Sequence, residues 1–227
     1  MNKPTRKVIV ALPAYNEEKY ISSIVSKATG YADVVVVLDD GSTDGTAWRA
    51  VDAGAKLIQH RTNKGYGATI QDILSSVRGS EFDVLTIMDA DNQHFPSDIP
   101  KLVKAIKDGY DLAIGCRAGK AVPGYRRIGG TILSMFTWVL SGVWVRDSQC
   151  GFRAYSRKAV EVIRPRENGM AVSSEIVALA AWNKLRITEV PISVKYTGDS
   201  STHNPVKQGF YTLWRVVVMI ARRRFTK

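Results

Sequence analysis

The first half of the chain alternates short, continuously apolar runs with longer segments of helical periodicity. The runs are rich in β-branched residues and have the length of strands, at residues 7–13, 33–40, 56–60, 83–91 and 111–117. Helical patterns separate them, at residues 16–30, a short stretch ending near 53, 65–79 and 97–109. Because strands without polar alternation are buried on both faces, this order predicts an α/β fold. We expect a mostly parallel central sheet with helices on both faces.

Polar clusters follow four of the predicted strands. They read PAYNE at 13–17, DDGSTDGT at 39–46, DADNQH at 89–94 and GCR at 115–117. In open α/β sheets, ligands bind outside the carboxyl ends of the strands. The four clusters therefore predict one binding site along a single edge of the sheet.

Asp89 and Asp91 lie one residue apart at the end of the fourth predicted strand. Carboxylates this close repel each other, so three arrangements are open: a dyad that shares a proton, an exposed turn, or a shared divalent cation. Gln93 adds a neutral oxygen at the next alternate position, and an extended backbone would present all three side chains to one site. Oxygen ligands favour Mg²⁺ or Mn²⁺. We predict a metal site formed by Asp89, Asp91 and Gln93, with His94 in a structural hydrogen bond.

The charge of the chain is unevenly distributed. Residues 1–114 carry 13 Lys/Arg and 15 Asp/Glu, whereas residues 115–227 carry 19 and 6. A basic half favours a polyanionic partner, which could be nucleic acid, anionic lipid or a phosphorylated substrate. The uncharged run at residues 128–145 favours lipid over nucleic acid. That run predicts a buried helix, a helix in the membrane interface or a membrane span.

The C-terminal segment, residues 206–227, combines aromatic and aliphatic residues with three consecutive arginines. This composition is typical of a basic amphipathic helix at an anionic membrane surface. We expect a catalytic domain over residues 1–205 and a membrane-associated helix after it. Cys116 and Cys150 lack metal-ligand spacing and the N-terminus lacks a secretory pattern, so we expect a reducing, cytoplasmic location.

Six motifs in order resemble the inverting glycosyltransferases of family 2. They are PAYNE (13–17), VVVLDDGSTDGT (35–46), NKGYGA (63–68), DADNQH (89–94), GCR (115–117) and DSQCGFRAY (147–155). Within the family they are most similar to the polyprenyl- (dolichyl-) phosphate hexose synthases, which use GDP-mannose or UDP-glucose. The resemblance covers about residues 7–195. It implies a GT-A-like nucleotide-sugar-binding fold and metal-dependent transfer of a hexose to a lipid phosphate at the cytoplasmic face of a membrane, with no nucleic acid partner.

The resemblance also implies individual roles. The residues after the first two strands would surround the base and ribose, and the DADNQH segment would face the sugar and the metal. The implied donor-binding residues are Pro13, Tyr15, Glu17, Asp39, Asp40, Ala90, Asp91, Gln93 and Arg117. The implied catalytic residues are Asp89, Asp91, Arg117 and Arg127.

The nature of the acceptor decides whether a general base is needed. A phosphate monoester is largely dianionic at neutral pH and is already a nucleophile. Arg117, Arg126 and Arg127 would hold that phosphate, the last two from behind a mobile loop at residues 118–127, and residues 195–205 would close as a lid through Lys195 or His203. A sugar-hydroxyl acceptor would instead require Asp147 or Glu175 as base. A membrane-bound scaffold without catalysis is the remaining alternative.

Overall fold

The chain folds around a seven-stranded sheet. We describe it from a computed structural model that covers residues 7–117, 124–195 and 205–225, with backbone only for 124–127, 205–207 and 223–225. The strands are β1 (Val8–Ala14), β2 (Val34–Asp39), β3 (Lys56–Gln59), β4 (Val84–Ile87), β5 (Leu112–Arg117), β6 (Arg153–Ser156) and β7 (Ile187–Ile192). The α-helices are α1 (Ile21–Thr29), α2 (Thr46–Asp52), α3 (Tyr66–Val77), α4 (Ile99–Lys107), α5 (Gly124–Ser141), α6 (Arg157–Val162), α7 (Val172–Trp182) and α8 (Pro205–Phe225).

The sheet is mostly parallel, as predicted. Its strand order is β3-β2-β1-β4-β6-β5-β7, and only β6 runs antiparallel to its two neighbours among the strands described. All seven residues of β1 and all four of β4 are buried. Because successive strand residues point to opposite faces, burial of every residue means that both faces of the sheet are covered.

Two elements end or begin away from their predicted positions, and both differences shape the site. β4 ends at Ile87 rather than at residue 91, so Asp89 and Asp91 lie in a loop. α1 begins at Ile21 rather than at residue 16. Asn16 has a φ of 55°, a left-handed conformation that helix interiors do not contain. The resulting loop keeps Glu17 out of the helix and next to the end of β1.

The start of the fourth predicted helix also differs. A 3₁₀ turn at Pro96–Asp98 precedes α4, so the predicted cap, Ser97, lies inside that turn. Asp98 accepts a hydrogen bond from the Ser193 N–H at 2.7 Å instead. This bond ties the start of α4 to the segment after β7.

Helix α5 buries three hydroxyl side chains and exposes several large apolar ones. Ser134, Thr137 and Ser141 are buried, and the Thr137 and Ser174 hydroxyl oxygens lie 2.8 Å apart. Five apolar side chains are between 40% and 66% exposed, namely Ile128, Ile132, Met135, Trp138 and Val139. In the described part of the chain, no helix combines the length and the apolar character needed to cross a membrane.

Helix α8 packs beside α5 and also exposes large apolar side chains. Its Val216 is buried in a small core with Leu140, Ala171 and Ala178. On its other side Phe210, Tyr211 and Trp214 are between 60% and 71% exposed. We call these three residues, together with the five exposed apolar residues of α5, the apolar surface.

Candidate active site

Asp89 follows β4 closely and is held by groups from distant parts of the chain. The Tyr66 hydroxyl donates to Asp89 Oδ1 at 3.0 Å, and His94 Nε2 lies 3.8 Å from Asp89 Oδ2. Gly151 passes so near that a Cβ there would lie 2.7 Å from the Asp89 carboxyl carbon. Burial alone would raise the pKa of Asp89, but His94, Tyr66 and Arg117 together hold that pKa below its usual value. Asp89 is therefore an ionised carboxylate in a fixed orientation.

Asp91 and Gln93 form a tight turn. Asn92 between them has a φ of 60°, which folds Gln93 back on Asp91. The Gln93 backbone N–H donates to Asp91 Oδ1 at 3.0 Å, and the Gln93 side-chain amide donates to Asp91 Oδ2. The prediction that an extended segment presents three oxygens in a row is therefore wrong. Gln93 supports Asp91 here, and its role as a third metal ligand stays a prediction.

Glu17 brings a third carboxylate towards this pair from the end of β1. Its backbone N–H donates to Thr46 Oγ1 at 2.7 Å, which fixes the loop. Burial, and then the charges of Asp91, Asp89 and Asp44, raise the pKa of Glu17 to about 7. Burial and the charge of Asp89 also raise the pKa of Asp91. Mutual repulsion of this kind is relieved by a bound cation.

This group of carboxylates fits a divalent cation that is coordinated partly by the protein and partly by a substrate. Among the residues that the structure describes, no three His, Cys, Asp or Glu side chains are arranged to hold a metal by themselves. Mg²⁺ is commonly held by one or two carboxylates together with substrate phosphates and water. The described acids and the raised pKa of Asp91 are compatible with that kind of site.

Asp39, at the end of β2, is fully buried and bonded within the protein. It accepts from the Ser42 N–H at 3.1 Å and from Gln59 Nε2 at 2.9 Å. These bonds fix the turn after β2. A contact between Asp39 and a base or ribose would have to replace one of them.

Asp40 is also buried, and its oxygens support the loop that leads to α3. The Lys64 and Gly65 N–H groups each donate to it at 2.9 Å. His60 Nδ1 lies 2.6 Å from Asp40 Oδ1, and His60 Nε2 lies 2.8 Å from Asp72 Oδ2. Asp40 thus stabilises the NKGYG loop, and the predicted donor contact would compete with that role.

The remaining predicted donor-binding residues differ in their exposure. Tyr15, directly after β1, is 42% exposed. Pro13 is buried as part of β1, and Ala90, between the two aspartates in the sequence, is also buried. Of these three residues, only Tyr15 has an exposed side chain, and the donor-binding roles of all three stay predictions.

Arg117 ends β5 and forms a two-point ion pair with Asp147. Its Nε lies 2.5 Å from Asp147 Oδ2, and its Nη2 lies 2.6 Å from Asp147 Oδ1. Asp147 is held in turn by its own N–H, which donates to Glu189 Oε1 at 3.2 Å. Arg117 lies close enough to Asp89 to help lower the pKa of that carboxyl. The guanidinium is thus fixed at the site with its orientation set by Asp147.

The other predicted phosphate-binding residues are described only in part. Arg126 and Arg127 lie in the first turns of α5, so the predicted loop at 118–127 gives way to helix from Gly124. Their side chains, residues 118–123 and His203 fall outside the described residues. The Lys195 N–H donates to the Gln93 carbonyl at 2.9 Å. The start of the predicted lid therefore lies against the DADNQH segment.

The sequence did not identify four supporting residues: Tyr66, His60, Gly151 and Arg153. The buried Arg153 guanidinium donates to the Cys150, Ser148 and Ser173 carbonyls at 2.8, 2.7 and 3.1 Å. It thereby shapes the loop between α5 and β6. Three of the four lie within the NKGYGA and DSQCGFRAY motifs, which were the signal available. Cys150 in the same loop is buried, which raises the pKa of its thiol to about 12.

A comparison with known protein families assigns most of the chain to one of them. The family model described as "Glycosyl transferase family 2" matches residues 9–164. The chain belongs to glycosyl transferase family 2. The resemblance found in its motifs is confirmed.

Two relatives act on polyprenyl-type phosphates, according to their names. The UDP-N-acetylglucosamine–dolichyl-phosphate N-acetylglucosaminyltransferase of Methanococcus voltae is 31% identical, over 93% of this chain and 95% of its own. The polyprenol monophosphomannose synthase of Mycolicibacterium smegmatis is 32% identical, over 84% of this chain and 78% of its own. The sugars in the two names differ, although both name a polyprenyl-type lipid.

A solved structure supports the fold of this family 2 chain. Glucosyl-3-phosphoglycerate synthase from Mycobacterium tuberculosis, in complex with Mn²⁺, UDP and phosphoglyceric acid, has a TM-score of 0.74 and 22% identity. The similarity covers 96% of this chain and 78% of that one. The predicted GT-A-like fold is confirmed.

Proposed function

We propose that this chain transfers a hexose-type sugar from a nucleoside-diphosphate donor to a polyprenyl or dolichyl phosphate, with inversion and with Mg²⁺ or Mn²⁺ as cofactor. Family membership and the names of the relatives support the reaction class. The observation that supports the metal-dependent mechanism is the closeness of Asp89, Asp91 and Glu17 at one edge of the sheet, where burial, and then the charges of Asp91 and Asp89, raise the pKa of Glu17 to about 7.

The contacts of two acids favour a phosphate acceptor over a sugar hydroxyl. A hydroxyl acceptor would need Asp147 or Glu175 as general base. Both carboxylate oxygens of Asp147 accept hydrogen bonds from the Arg117 guanidinium. Glu175 accepts the Arg166 and Glu167 N–H groups at 2.9 and 2.8 Å. Both acids are thus engaged by groups of the protein itself, whereas a phosphate dianion needs no base.

In this mechanism the protein aligns two anions and separates their charges. Asp89 and Asp91 would hold the metal, and the metal would neutralise the charge of the departing nucleoside diphosphate. Tyr66 and His94 keep Asp89 ionised and oriented. Arg117, fixed by Asp147, presents positive charge to the acceptor phosphate. A single displacement at the anomeric carbon inverts its configuration.

The apolar surface fits the membrane that would carry such an acceptor. Eight apolar side chains on α5 and α8 are exposed on neighbouring helices, whereas monomeric proteins in water rarely expose large contiguous apolar patches. The adjacent arginines of residues 222–224 suit anionic headgroups. We propose that the chain lies on the cytoplasmic leaflet through this surface.

A donor and acceptor panel tests the reaction. The wild-type protein is incubated with UDP-N-acetylglucosamine, GDP-mannose or UDP-glucose, with polyprenyl phosphate or an oligosaccharide, and with Mn²⁺ or EDTA. We expect transfer only to the lipid phosphate and only with metal. Asp91→Asn should lower turnover by at least about 100-fold, and Asp52→Asn, on the exposed side of α2, should not. Transfer to the oligosaccharide, or full activity in EDTA, would reject the proposal.

Vesicle sedimentation tests the membrane surface. Trp138→Glu and Trp214→Glu should each reduce binding to vesicles that contain anionic phospholipid. Trp48 provides a matched control, because it is 67% exposed on α2, away from the apolar surface. Equal loss of binding in Trp48→Glu, or no loss in the other two variants, would show that the apolar surface is not the contact.

A further inference from the structure

The position of the Asp89 carboxylate depends on where helix α3 begins. Tyr66, whose hydroxyl donates to Asp89 at 3.0 Å, is the first residue of α3. Gly65 before it has a φ of 94°, so the chain turns sharply into the helix there. A shift of the first turn of α3 would move the Tyr66 hydroxyl away from Asp89.

The first turn of α3 lies directly against the backbone of residues 167–168. The Gly67 N–H donates to the Asn168 carbonyl at 2.7 Å. Gln71 Nε2 donates to the Glu167 carbonyl at 3.1 Å. A Cβ on Gly67 would lie 2.5 Å from the Asn168 carbonyl carbon. Because backbone lies directly against backbone here, the position of residues 167–168 constrains the first turn of α3, which contains Tyr66.

Residues 167–168 are held by α8. Arg215 Nε and Nη2 donate to the two carboxylate oxygens of Glu167 at 2.9 and 2.8 Å. The Glu167 side chain is only 9% exposed, so this pair is shielded from water on the Glu167 side. The Glu167 N–H donates to Glu175 of α7 at 2.8 Å. Glu167 is thus bonded to α7 through its backbone, to α8 through its side chain and to α3 through its carbonyl.

We propose that Arg215 and Glu167 are positioning residues that set the Asp89 carboxylate through residues 167–168 and Tyr66. Helix α8 then has a second role beyond exposing aromatic side chains, because its packing through Arg215 fixes the position of the Asp89 carboxylate. Through α8, contact with a lipid surface and the geometry of the site become linked. The role assigned to Asp89 rests on the proposed function, whereas the chain of contacts does not.

Hydrogen exchange of the metal-free protein tests the mechanical link. Arg215→Gln and Glu167→Gln should each speed exchange of the Gly67 amide by at least about fivefold, and the double variant should match the singles. Lys104→Gln is the matched control, because it removes an exposed ion pair with Asp108 on α4. Unchanged exchange at Gly67 in both single variants would overturn the link.

Mn²⁺ binding with UDP, measured by titration calorimetry without lipid, tests the consequence for the site. Arg215→Gln should weaken Mn²⁺ binding several-fold and lower kcat towards a detergent-dispersed polyprenyl phosphate, with little change in KM for the donor. Arg215→Lys should recover part of the Mn²⁺ affinity and part of kcat, since Lys keeps the positive charge but cannot make the two-point contact with the carboxylate. A lower melting temperature with unchanged Mn²⁺ binding and kcat would mean that the pair only stabilises the fold.

A double variant checks the route through Tyr66. Arg215→Gln and Tyr66→Phe should weaken Mn²⁺ binding by amounts that do not add, because both act on the same contact. Additive effects would reject this route. A wild-type protein that neither binds Mn²⁺ with UDP nor transfers sugar would reject the proposed function, and the exchange result would still decide the link between Arg215 and α3.

Discussion

Replacing Glu17 by Gln should make the metal-free protein more stable above neutral pH. In the folded protein the pKa of Glu17 is raised from 4.5 to about 7, first by burial and then by Asp91, Asp89 and Asp44. Folded protein therefore holds more protons than unfolded protein between these pH values, and its stability falls as the pH rises through them. Gln carries no charge, so the variant avoids this loss.

The size of the effect follows from the shift. One pKa unit corresponds to about 1.36 kcal/mol, so the full rise would be about 3.4 kcal/mol. Glu17 is only partly buried, and solvent screening reduces this to about 1–2 kcal/mol. For a chain of this length, we expect the melting temperature of Glu17→Gln at pH 8 to exceed that of the wild type by about 3–6 °C.

Thermal unfolding in EDTA from pH 4.5 to pH 8.5 measures this effect. The two proteins should unfold at nearly the same temperature at the acid end and diverge towards the alkaline end. Glu81→Gln, which changes an exposed carboxylate before β4, is the control and should follow the wild type. Excess Mn²⁺ with UDP should narrow the difference, because a cation favours the ionised acids. If the melting temperatures of wild type and Glu17→Gln changed in parallel with pH, the pKa of Glu17 would not be raised by its buried, acidic surroundings.

Three further substitutions test the supports of Asp89. Tyr66→Phe removes a hydrogen bond to a charged group, worth about 1.5–3 kcal/mol, so it should lower the melting temperature by about 4–8 °C. It should also raise the pKa of Asp89 and move the acid limb of the kcat profile to higher pH; an unmoved limb would contradict the contact. Gly151→Ala places a methyl group against the Asp89 carboxyl carbon at 2.7 Å, so turnover should fall more than stability, and wild-type kinetics would show that the loop yields freely. Gly67→Ala meets the Asn168 backbone at 2.5 Å and should lower the melting temperature by about 5 °C or more; an unchanged value would contradict the close approach.

The sequence predicted the sheet and its polar edge well, because continuous apolar runs leave few alternatives to buried strands. It missed two strands, β7 (Ile187–Ile192) and the antiparallel β6 (Arg153–Ser156). Strand β6 has only four residues, and three of them end the DSQCGFRAY motif. Its pairing with β4 and β5 depends on contacts between distant segments. Periodicity within four residues cannot specify such pairing.

The candidate site was predictable in its location but not in its internal bonding. Asp39 and Asp40 look like ligand-binding acids at a strand end, yet both are bonded inside the protein. Asp40 owes this to His60 and Gly65, which arrive from other elements. A residue pattern gives the position of a carboxylate along the chain. Whether its oxygens remain available to a ligand depends on the hydrogen-bond partners that the tertiary fold brings to it.

The uncharged run at residues 128–145 shows a similar limit. Its length and composition suggested burial, an interface or a span, but which face turned inward depended on the hydroxyl groups of Ser148 and Ser174 in other segments. Those groups bond to Ser134 and Thr137 of α5 at 3.1 and 2.8 Å. With these hydroxyl groups buried, five large apolar side chains of α5 are exposed to solvent.

The packing of Val216 against Leu140, Ala171 and Ala178 bears on how the C-terminal helix can be studied. Deleting residues 205–227 would strip the cover from these side chains and leave Glu167 as an acid without its guanidinium. If such a shortened protein failed to sediment with vesicles, the cause could be a disrupted core rather than the loss of a lipid contact. Single changes on the outward side of the helix, with the inward side left intact, are the cleaner way to ask what the lipid contributes.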